Sequence, residues 1–266
     1  MSQVLVTRRE GAVLVLSNNN VAARNALSFE FYTAVTQALQ EAAQDPSIGA
    51  IVLTGEGGHF CSGGDLRQLV KRRELPLAER RARLEGLHDL IRTVRDCPKP
   101  VIAAVEGAAA GAGLSLAMAC DMLVAAQDAM FTVAYVKVGL TPDGGATAFL
   151  AEFVSRQVLT ELCLTGAPLS GERMHALGAV NRLVASGCAL EAAMALAADI
   201  SKGPPHAMGR IKHLCRLAMR HSLNDQLELE AQFMVEAMAS DESLEGINAF
   251  LNKRPPNYTS LRKVNA

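Results

Sequence analysis

The segment from Pro100 to Thr147 reads PVIAAVEGAAAGAGLSLAMACDMLVAAQDAMFTVAYVKVGLTPDGGAT. Its β-branched start, Val101 to Val105, predicts a strand, Gly107 to Gly113 predict a loop, and Leu114 to Cys120 have the length and spacing of a helix. A helix that follows such a loop begins with unpaired backbone N–H groups at the positive end of its dipole. Small side chains let a ligand oxygen approach those amides closely. We therefore expect an anion or oxyanion site here.

Asp143 lies in the turn Thr141 to Gly145, near the end of the same segment. If this turn folds back over the loop, one pocket holds both an oxyanion site and an acid/base group. That role requires partly dry surroundings, which raise the pKa of a carboxyl group so that it can take and return a proton. The flanking stretches, Phe131 to Leu140 and Ala146 to Leu150, are apolar and permit this. The alternative is an ordinary turn residue, because Pro-Asp-Gly suits a β-turn.

Earlier in the chain, a first glycine-bearing junction ends at Gly64 and Asp65, and the second junction is the one that ends at Ala112 and Gly113. Each junction can supply one backbone N–H to a common oxygen. Two such donors polarise a carbonyl oxygen and stabilise the enolate or tetrahedral oxyanion that develops on it. The alternative is that each glycine cluster serves only a tight turn or close helix packing.

Composition excludes several classes of function. The chain has 266 residues, half of them hydrophobic, which is enough for a large core. A net charge of −1 creates no field that would attract nucleic acid or a membrane surface, and 4% aromatic residues with no tryptophan argue against base stacking. The six cysteines form no CxxC pair and the first residues do not resemble a secretory signal, so we expect a soluble, cytoplasmic protein.

The order of predicted elements indicates an α/β core followed by a helical region, because strands alternate with helices first and only helices follow. Ser28 is predicted to cap a helix that ends at Asp45, and the charged stretch from Arg67 to Arg83 predicts a solvated helix or a mobile flap. We place a boundary near residue 200, which gives a core at residues 1–200 and a C-terminal helical region at residues 201–266. Strands are predicted at residues 4–7, 12–16, 50–53, 101–105 and 181–184.

Metal and nucleotide motifs are not found in the sequence. No set of His, Cys and carboxylate residues has the spacing of metal ligands, and GAAAGAG lacks both the G-x-G-x-x-G frame and the GK[ST] ending. His88 lies on an apolar helical face, where it is either a histidine satisfied by packing or a ligand or base. We predict no metal and no separate cofactor.

Four motifs occur together: RNAL at residues 24–27, HFCSGGDL at 59–66, KPVIAAVEGAAAGAGLSLAMACD at 99–121, and FTVAYVKVGLTPDGGAT at 131–147. With them the chain resembles the enoyl-CoA hydratase/isomerase, or crotonase, family over nearly its whole length. The resemblance implies a spiral of ββα units with a C-terminal helical region that drives oligomerisation, as a homotrimer or hexamer.

The same resemblance implies that the amides of Gly64 and Ala112 form the oxyanion hole for an acyl-CoA thioester. Coenzyme A enters as part of the substrate and no other cofactor is implied. The implied coenzyme A contacts fall on the N-terminal polar loop, on the first glycine junction and on a basic segment near the C-terminus that reaches a neighbour's ligand: Arg24, Ala26, Ser62, Asp65, Leu66, Phe250 and Lys253.

Two positions depart from the hydratase pattern. Hydratases of the family use two glutamates to add water, and the matching positions here are Ser115 and Tyr135. Neither hydroxyl is a general base for water near neutral pH. Asp143 remains, and it matches the carboxylate of several family isomerases, with a turn closest to the ring-1,2-epoxyphenylacetyl-CoA isomerase type. We therefore expect double-bond isomerisation with Asp143 as the acid/base, and Tyr135 lining a dry pocket wall or simply packing there.

Alternatives to the isomerase stay open at this point. In the 4-chlorobenzoyl-CoA dehalogenase type, an aspartate at the Asp143 position attacks the ring and a histidine at the His88 position activates water, and both residue types match here. The position of an aromatic-binding tryptophan is Tyr135, however. Hydratase-like activity is a further alternative, and so is a non-catalytic acyl-CoA binding protein, because fold does not imply function.

Overall fold

The computed structural model describes residues 3–262. Its larger sheet has six strands in the order β1-β2-β3-β4-β6-β9. β1 and β2 pair antiparallel, and each of the other neighbouring pairs is parallel. The strands are β1 (Leu5–Glu10), β2 (Val13–Asn18), β3 (Ala50–Gly55), β4 (Val101–Val105), β6 (Met122–Ala126) and β9 (Arg182–Val184).

A second, smaller sheet stacks beside the first. It contains β5 (Ala108–Ala110), β7 (Met130–Thr132) and β8 (Pro168–Ser170) in the order β5-β7-β8, and Cys61 forms a parallel bridge with Ala109 at its edge. After β3, β4 and β6 the chain thus passes in turn through Cys61, β5 and β7. This winding agrees with the predicted α/β fold, a spiral of strand, strand and helix units.

Eleven α-helices complete the fold of residues 3–262. Ser28 caps the first of them as predicted, because its side chain accepts a hydrogen bond from the Phe31 amide. The helices are α1 (Phe29–Gln44), α2 (Leu66–Arg72), α3 (Leu77–Asp96), α4 (Ala112–Met118), α5 (Ala146–Leu150), α6 (Arg156–Thr165), α7 (Gly171–Ala176), α8 (Ala189–Ile200), α9 (Pro205–Leu217), α10 (Leu223–Met238) and α11 (Asp241–Leu251).

Alternating side chains of the large sheet build two cores. Because successive strand residues point to opposite faces, Leu14, Ile51 and Leu53 join the core under α1, α3 and α4. Val15, Val52 and their neighbours point to the other face, which α8 covers with Ala189, Ala193 and Ala197. These alanines recur every four residues, so they form a row of small side chains on one face of α8, and this face lies directly on the strands.

The last three helices are exposed along much of their length. α10 has no buried residue, and the Glu242 carboxylate on α11 accepts hydrogen bonds from the His206 and Ala207 amides at the start of α9, both at 3.0 Å. Lys212 on α9 pairs with Asp121 at 2.7 Å, which joins this region to the sheet. α8 ends at Ile200, beside the predicted boundary, while the division into two units remains a prediction.

The structure corrects two local predictions. The stretch predicted as one loop from Gly107 to Gly113 contains the strand β5, and α4 begins at Ala112 rather than at Leu114. β5 pairs with β7 and with Cys61, partners distant in sequence that local spacing cannot reveal. The charged stretch is helical, which is one of the two predicted alternatives, and it is divided between α2 and α3. Cys61, Cys97 and Cys120 are buried, whereas Cys188 and Cys215 are exposed.

Within residues 3–262, no helix combines the length and the apolar character that crossing a bilayer requires.

Candidate active site

The two glycine junctions lie side by side. The Cys61 amide donates to the Ala108 carbonyl at 2.8 Å, and the Ala110 amide donates to the Cys61 carbonyl at 2.9 Å. The contact is so close that a methyl group added at Gly63 would lie 2.8 Å from the Ala110 oxygen and 3.8 Å from the Ala112 nitrogen. The chain therefore brings the neighbourhoods of Gly64 and Ala112 together.

The amides of Gly64 and Ala112 are both available to a ligand. Ala112 is the first residue of α4, so its N–H has no acceptor one turn earlier. Within residues 3–262, neither N–H donates a hydrogen bond to the protein. Two unpaired donors on adjacent loops, one of them at a helix start, have the character of an oxyanion site.

Gly113 sets how closely α4 approaches the first junction. A β-carbon there would lie 2.4 Å from the Cys61 carbonyl oxygen and 2.8 Å from its sulfur. Helix propensity alone favours alanine over glycine. We nevertheless expect Gly113→Ala to lower the free energy of unfolding by about 2 kcal/mol, because the junctions must move apart to admit the methyl group. Urea denaturation of both proteins measures this.

Gly64→Ala is the matched control for that substitution. A β-carbon at Gly64 would meet only the Leu69 Cδ1 atom, at 3.7 Å, which is an ordinary contact. Its stability should stay within about 0.5 kcal/mol of the wild type. Equal stabilities for the Gly113 and Gly64 variants would contradict the close approach described here.

The N-terminal polar loop packs onto the first junction. The Ser62 amide donates to the Arg24 carbonyl at 3.0 Å, the Leu27 amide donates to the Gly63 carbonyl at 2.8 Å, and the Ser62 hydroxyl donates to the Ala23 carbonyl at 2.9 Å. Arg24 is exposed while Ala26 and Leu27 are buried. The structure thus brings together two groups of residues that the sequence assigned to one ligand.

Asn25 is a structural residue of this site that the sequence analysis did not single out. It adopts a left-handed backbone with φ of 59°, a conformation that asparagine tolerates better than most residues. Its buried side-chain amide donates to the carbonyls of Glu56 at 2.8 Å and His59 at 2.6 Å. Asn25 thereby fixes the polar loop to the segment that leads into the junction. The local signal was an Asn in a polar loop, which does not specify these partners.

The remaining residues assigned to coenzyme A are less closely grouped. The Asp65 side chain caps α2 by accepting from the Arg67 amide at 2.9 Å, and Leu66 is 53% exposed. Phe250, at the end of α11, is 83% exposed, and Lys253 follows with φ of 53°. No hydrogen bond or ion pair in residues 3–262 joins either of these two to the Arg24 loop.

Asp143 is attached to the first turn of α4. The Ser115 hydroxyl, which is buried, donates to the Asp143 carbonyl at 2.9 Å. The Tyr135 hydroxyl donates to Asp143 Oδ1 at 2.6 Å. Tyr135 in turn lies near Gly111, where a β-carbon would be 3.7 Å from its Cζ atom. The carboxylate predicted as an acid/base therefore lies beside the helix whose first amide is Ala112.

Burial raises the pKa of Asp143, and the hydrogen bond from Tyr135 and the charge of His88 lower it in part. Burial, together with the Asp143 charge, raises the pKa of Tyr135 so far that the phenol stays protonated near neutral pH. The pair therefore consists of a carboxyl group that can exchange a proton and a phenol that only donates to it.

His88 lies on α3 with its side chain 32% exposed, and its Nδ1 atom is 3.6 Å from a carboxylate oxygen of Glu85. A cavity of about 630 Å³ adjoins the turn after Asp143, and its lining includes His88, Gly144, Gly145 and Phe149. Asp143 and Tyr135 are not among its lining residues, so this cavity lies on the far side of the turn from the hydrogen bond between them.

The part of the chain from residue 3 to residue 262 contains no cluster of three or more His, Cys, Asp or Glu side chains able to hold a metal ion.

Known proteins resemble the chain over nearly its full length. A sequence model of the enoyl-CoA hydratase/isomerase family matches residues 8–262. The 1,2-epoxyphenylacetyl-CoA isomerase of Escherichia coli is 33% identical over 97% of this chain and 99% of its own, and the 2,3-dehydroadipyl-CoA hydratase of the same organism is 32% identical over the same shares. The crystal structure of an enoyl-CoA hydratase from Polaromonas sp. JS666 superposes with a TM-score of 0.93, at 43% identity, over 95% of this chain and 98% of that one.

A relative named an isomerase and a relative named a hydratase are therefore similar to this chain to nearly the same degree. The matched region includes both glycine junctions and the Asp143 turn. The chain belongs to the enoyl-CoA hydratase/isomerase family, whose members act on acyl-CoA thioesters, and it has the crotonase fold.

Proposed function

We propose that the protein is an enoyl-CoA isomerase that moves a double bond with Asp143 as its single acid/base. The observation that carries this proposal is the environment of Asp143. It is a half-buried carboxyl group with a raised pKa, attached to the helix that begins at Ala112. Within residues 3–262, the two side chains that donate hydrogen bonds to it, Ser115 and Tyr135, carry hydroxyl groups and not a second carboxylate.

The reaction needs one group that carries a proton and one that stabilises negative charge. Asp143 removes a proton from the α or γ carbon of the thioester, and the electrons move to the thioester oxygen. The amides of Gly64 and Ala112 hold that oxygen while it is negative. Asp143 then returns its proton at the other carbon, so that the double bond has moved and the protein is unchanged. Water must be excluded, and buried Tyr135 contributes to the dry wall.

Coenzyme A would be bound at the polar loop and the first junction, by Arg24, Ala26, Ser62, Asp65 and Leu66. Phe250 and Lys253 would extend to the ligand of a neighbouring copy, since both are exposed at the end of the helical region. The proposed reaction transfers no electrons and requires no cofactor beyond the coenzyme A of the substrate.

A panel of aliphatic and aromatic enoyl-CoAs tests the proposal. Each is incubated with the protein, and the double-bond position is followed by NMR. A shifted double bond without added water supports the isomerase. A 3-hydroxyacyl product in its place establishes a hydratase, and tight binding with no reaction establishes a non-catalytic acyl-CoA binding protein.

A second candidate is dehalogenation of the 4-chlorobenzoyl-CoA type, favoured by one observation. His88 lies close enough to Asp143 for its charge to influence the carboxyl group, and it lines the adjoining cavity. Chloride release from 4-chlorobenzoyl-CoA, lost in His88→Gln, would establish this activity and displace the isomerase.

We also propose a homotrimer or hexamer, assembled through the helical region and acting in the cytoplasm. Large apolar side chains on α10 are exposed to an extent that is unusual for a monomer: Leu223 74%, Leu227 51%, Met234 57%, Val235 68% and Met238 68%. The cytoplasmic location is supported by six cysteines that are all free.

We expect Val235→Glu to dissociate the oligomer, because the burial of a charge in an apolar interface is costly. Light scattering after size exclusion measures the mass. The control is Gln232→Glu, which adds the same charge at an exposed polar position of α10. A monomeric wild type, or a Val235 variant of unchanged mass, would contradict this surface as the interface.

A further inference from the structure

Asp143 is held by hydroxyl groups at two different points. Tyr135 donates to one carboxylate oxygen, Oδ1, at 2.6 Å, and Ser115 donates to the backbone carbonyl at 2.9 Å. Both hydroxyl-bearing residues are buried, at 8% and 0% exposure. In residues 3–262 no other side chain donates a hydrogen bond to this carboxylate.

The geometry around this pair leaves little freedom. A β-carbon at Gly144 would lie 2.9 Å from the Ser115 β-carbon, so the turn rests directly on α4. The Tyr135 ring lies beside Gly111, where an added β-carbon would be 3.7 Å from its Cζ atom. The two anchors therefore fix the backbone of Asp143 and one of its oxygens, and they leave Oδ2 without a protein donor.

We propose that Tyr135 is a positioning residue that holds Oδ1 of Asp143, so that Oδ2 alone takes the proton from one carbon of the substrate and returns it to the other. This inference rests on the proposed function and deepens it. In the forward step a C–H bond breaks and an Oδ2–H bond forms, and in the return step the reverse occurs at the second carbon. Tyr135 keeps its own proton throughout, so no co-reactant is needed.

Two further titratable groups lie near Asp143, and within residues 3–262 neither makes a hydrogen bond to its carboxylate. His88 on α3 favours the ionised form, and Tyr32 on α1 has its pKa raised to about 12, mainly by burial, with the Asp143 charge contributing. The Tyr32 hydroxyl makes no hydrogen bond within residues 3–262. Tyr32→Phe therefore removes a buried phenol near Asp143 without removing a bond.

The test is Tyr135→Phe, in which only the hydroxyl is lost. Protein labelled with ¹³C at the aspartate carboxyl groups is titrated by NMR, with the Asp143 signal assigned from its absence in Asp143→Asn. Since a donated hydrogen bond favours the ionised carboxylate, we expect the pKa of Asp143 to rise by about 1 unit in Tyr135→Phe. The acidic limb of kcat/KM for isomerisation should move to higher pH by the same amount. On the plateau we expect kcat to fall about tenfold, with KM nearly unchanged.

Two control variants separate positioning from mere packing. Tyr32→Phe should change neither the pKa of Asp143 measured by NMR nor the position of the acidic limb of the kcat/KM profile. Ser115→Ala removes the hydrogen bond to the Asp143 carbonyl but keeps the one from the Tyr135 hydroxyl to Oδ1. It should therefore lower kcat without moving the acidic limb of the kcat/KM profile. If Tyr135→Phe does not fold, 3-fluorotyrosine incorporated in the Tyr32→Phe background should shift the limb to lower pH, because a more acidic phenol is a stronger donor.

The outcomes distinguish this inference from the proposed function. A wild type that moves no double bond overturns the proposed function, and with it the role of Tyr135. The positioning role alone is overturned if the wild type isomerises but Tyr135→Phe has the same Asp143 pKa by NMR and the same acidic limb of kcat/KM as the wild type. A rise in KM without a shift of the limb would also overturn it, because it would indicate a contact with the substrate and not with Asp143.

Discussion

Asp143→Asn is expected to slow double-bond isomerisation about 10³-fold, because asparagine keeps the shape of aspartate but cannot accept and return a proton. The Tyr135 hydroxyl can still donate to the asparagine oxygen, so the fold of the turn should persist. Binding of acyl-CoA should be almost unchanged, since the carboxyl group acts on the carbon chain and not on coenzyme A. Steady-state kinetics and calorimetry measure the two effects separately.

The matched control is Asp128→Asn, at an exposed carboxylate in the connection between β6 and β7. It removes one negative charge, as Asp143→Asn does, and its activity should equal that of the wild type. If Asp143→Asn retained more than about a tenth of the wild-type rate, a general acid–base role for Asp143 would be contradicted.

Gly64→Pro is expected to produce the second large effect. Proline lacks the N–H group, so this substitution removes one of the two proposed oxyanion donors. Loss of one such donor lowers kcat by about 10²- to 10³-fold in a comparable site. The position can accept a side chain, because a β-carbon at Gly64 would meet only Leu69 Cδ1 at 3.7 Å.

Gly64→Ala keeps the amide and adds the β-carbon, which makes it the control for Gly64→Pro. Near-wild-type kcat in Gly64→Ala, together with a large loss in Gly64→Pro at similar melting temperature, is the expected pattern. Equal losses in the two variants would assign the effect to the side chain and would exclude the amide as a donor.

The sequence predicted those helices and strands that depend on residues close together in the chain. Ser28 as the cap of α1 was identifiable because the Phe31 amide that donates to it is only three residues away. The strand β4 was identifiable from its continuous apolar run. The three-residue strands β5, β7 and β8 were not, since each depends on pairing with a segment distant in the sequence.

The site shows the same division between local and distant determinants. The glycine junctions and the Asp143 turn stand out in the sequence because glycine, proline and a lone carboxylate mark them. The donation from Tyr135 to Asp143 could not be predicted, because a separation of eight residues specifies neither the direction of a phenol nor the path of a turn. The role of Asn25 depends on carbonyls more than 30 residues away.

The central claim is that Asp143 carries a proton between two carbons of a thioester whose oxygen is held by backbone amides. The most direct test is incubation, in H₂O, of an enoyl-CoA substrate that is deuterated at the γ carbon, followed by NMR detection of deuterium at the α carbon. We predict that the wild-type protein transfers deuterium from the γ to the α carbon and that Asp143→Asn transfers none. Equal transfer by the two proteins, or a double bond that moves while all of the deuterium is lost to water, would contradict the account.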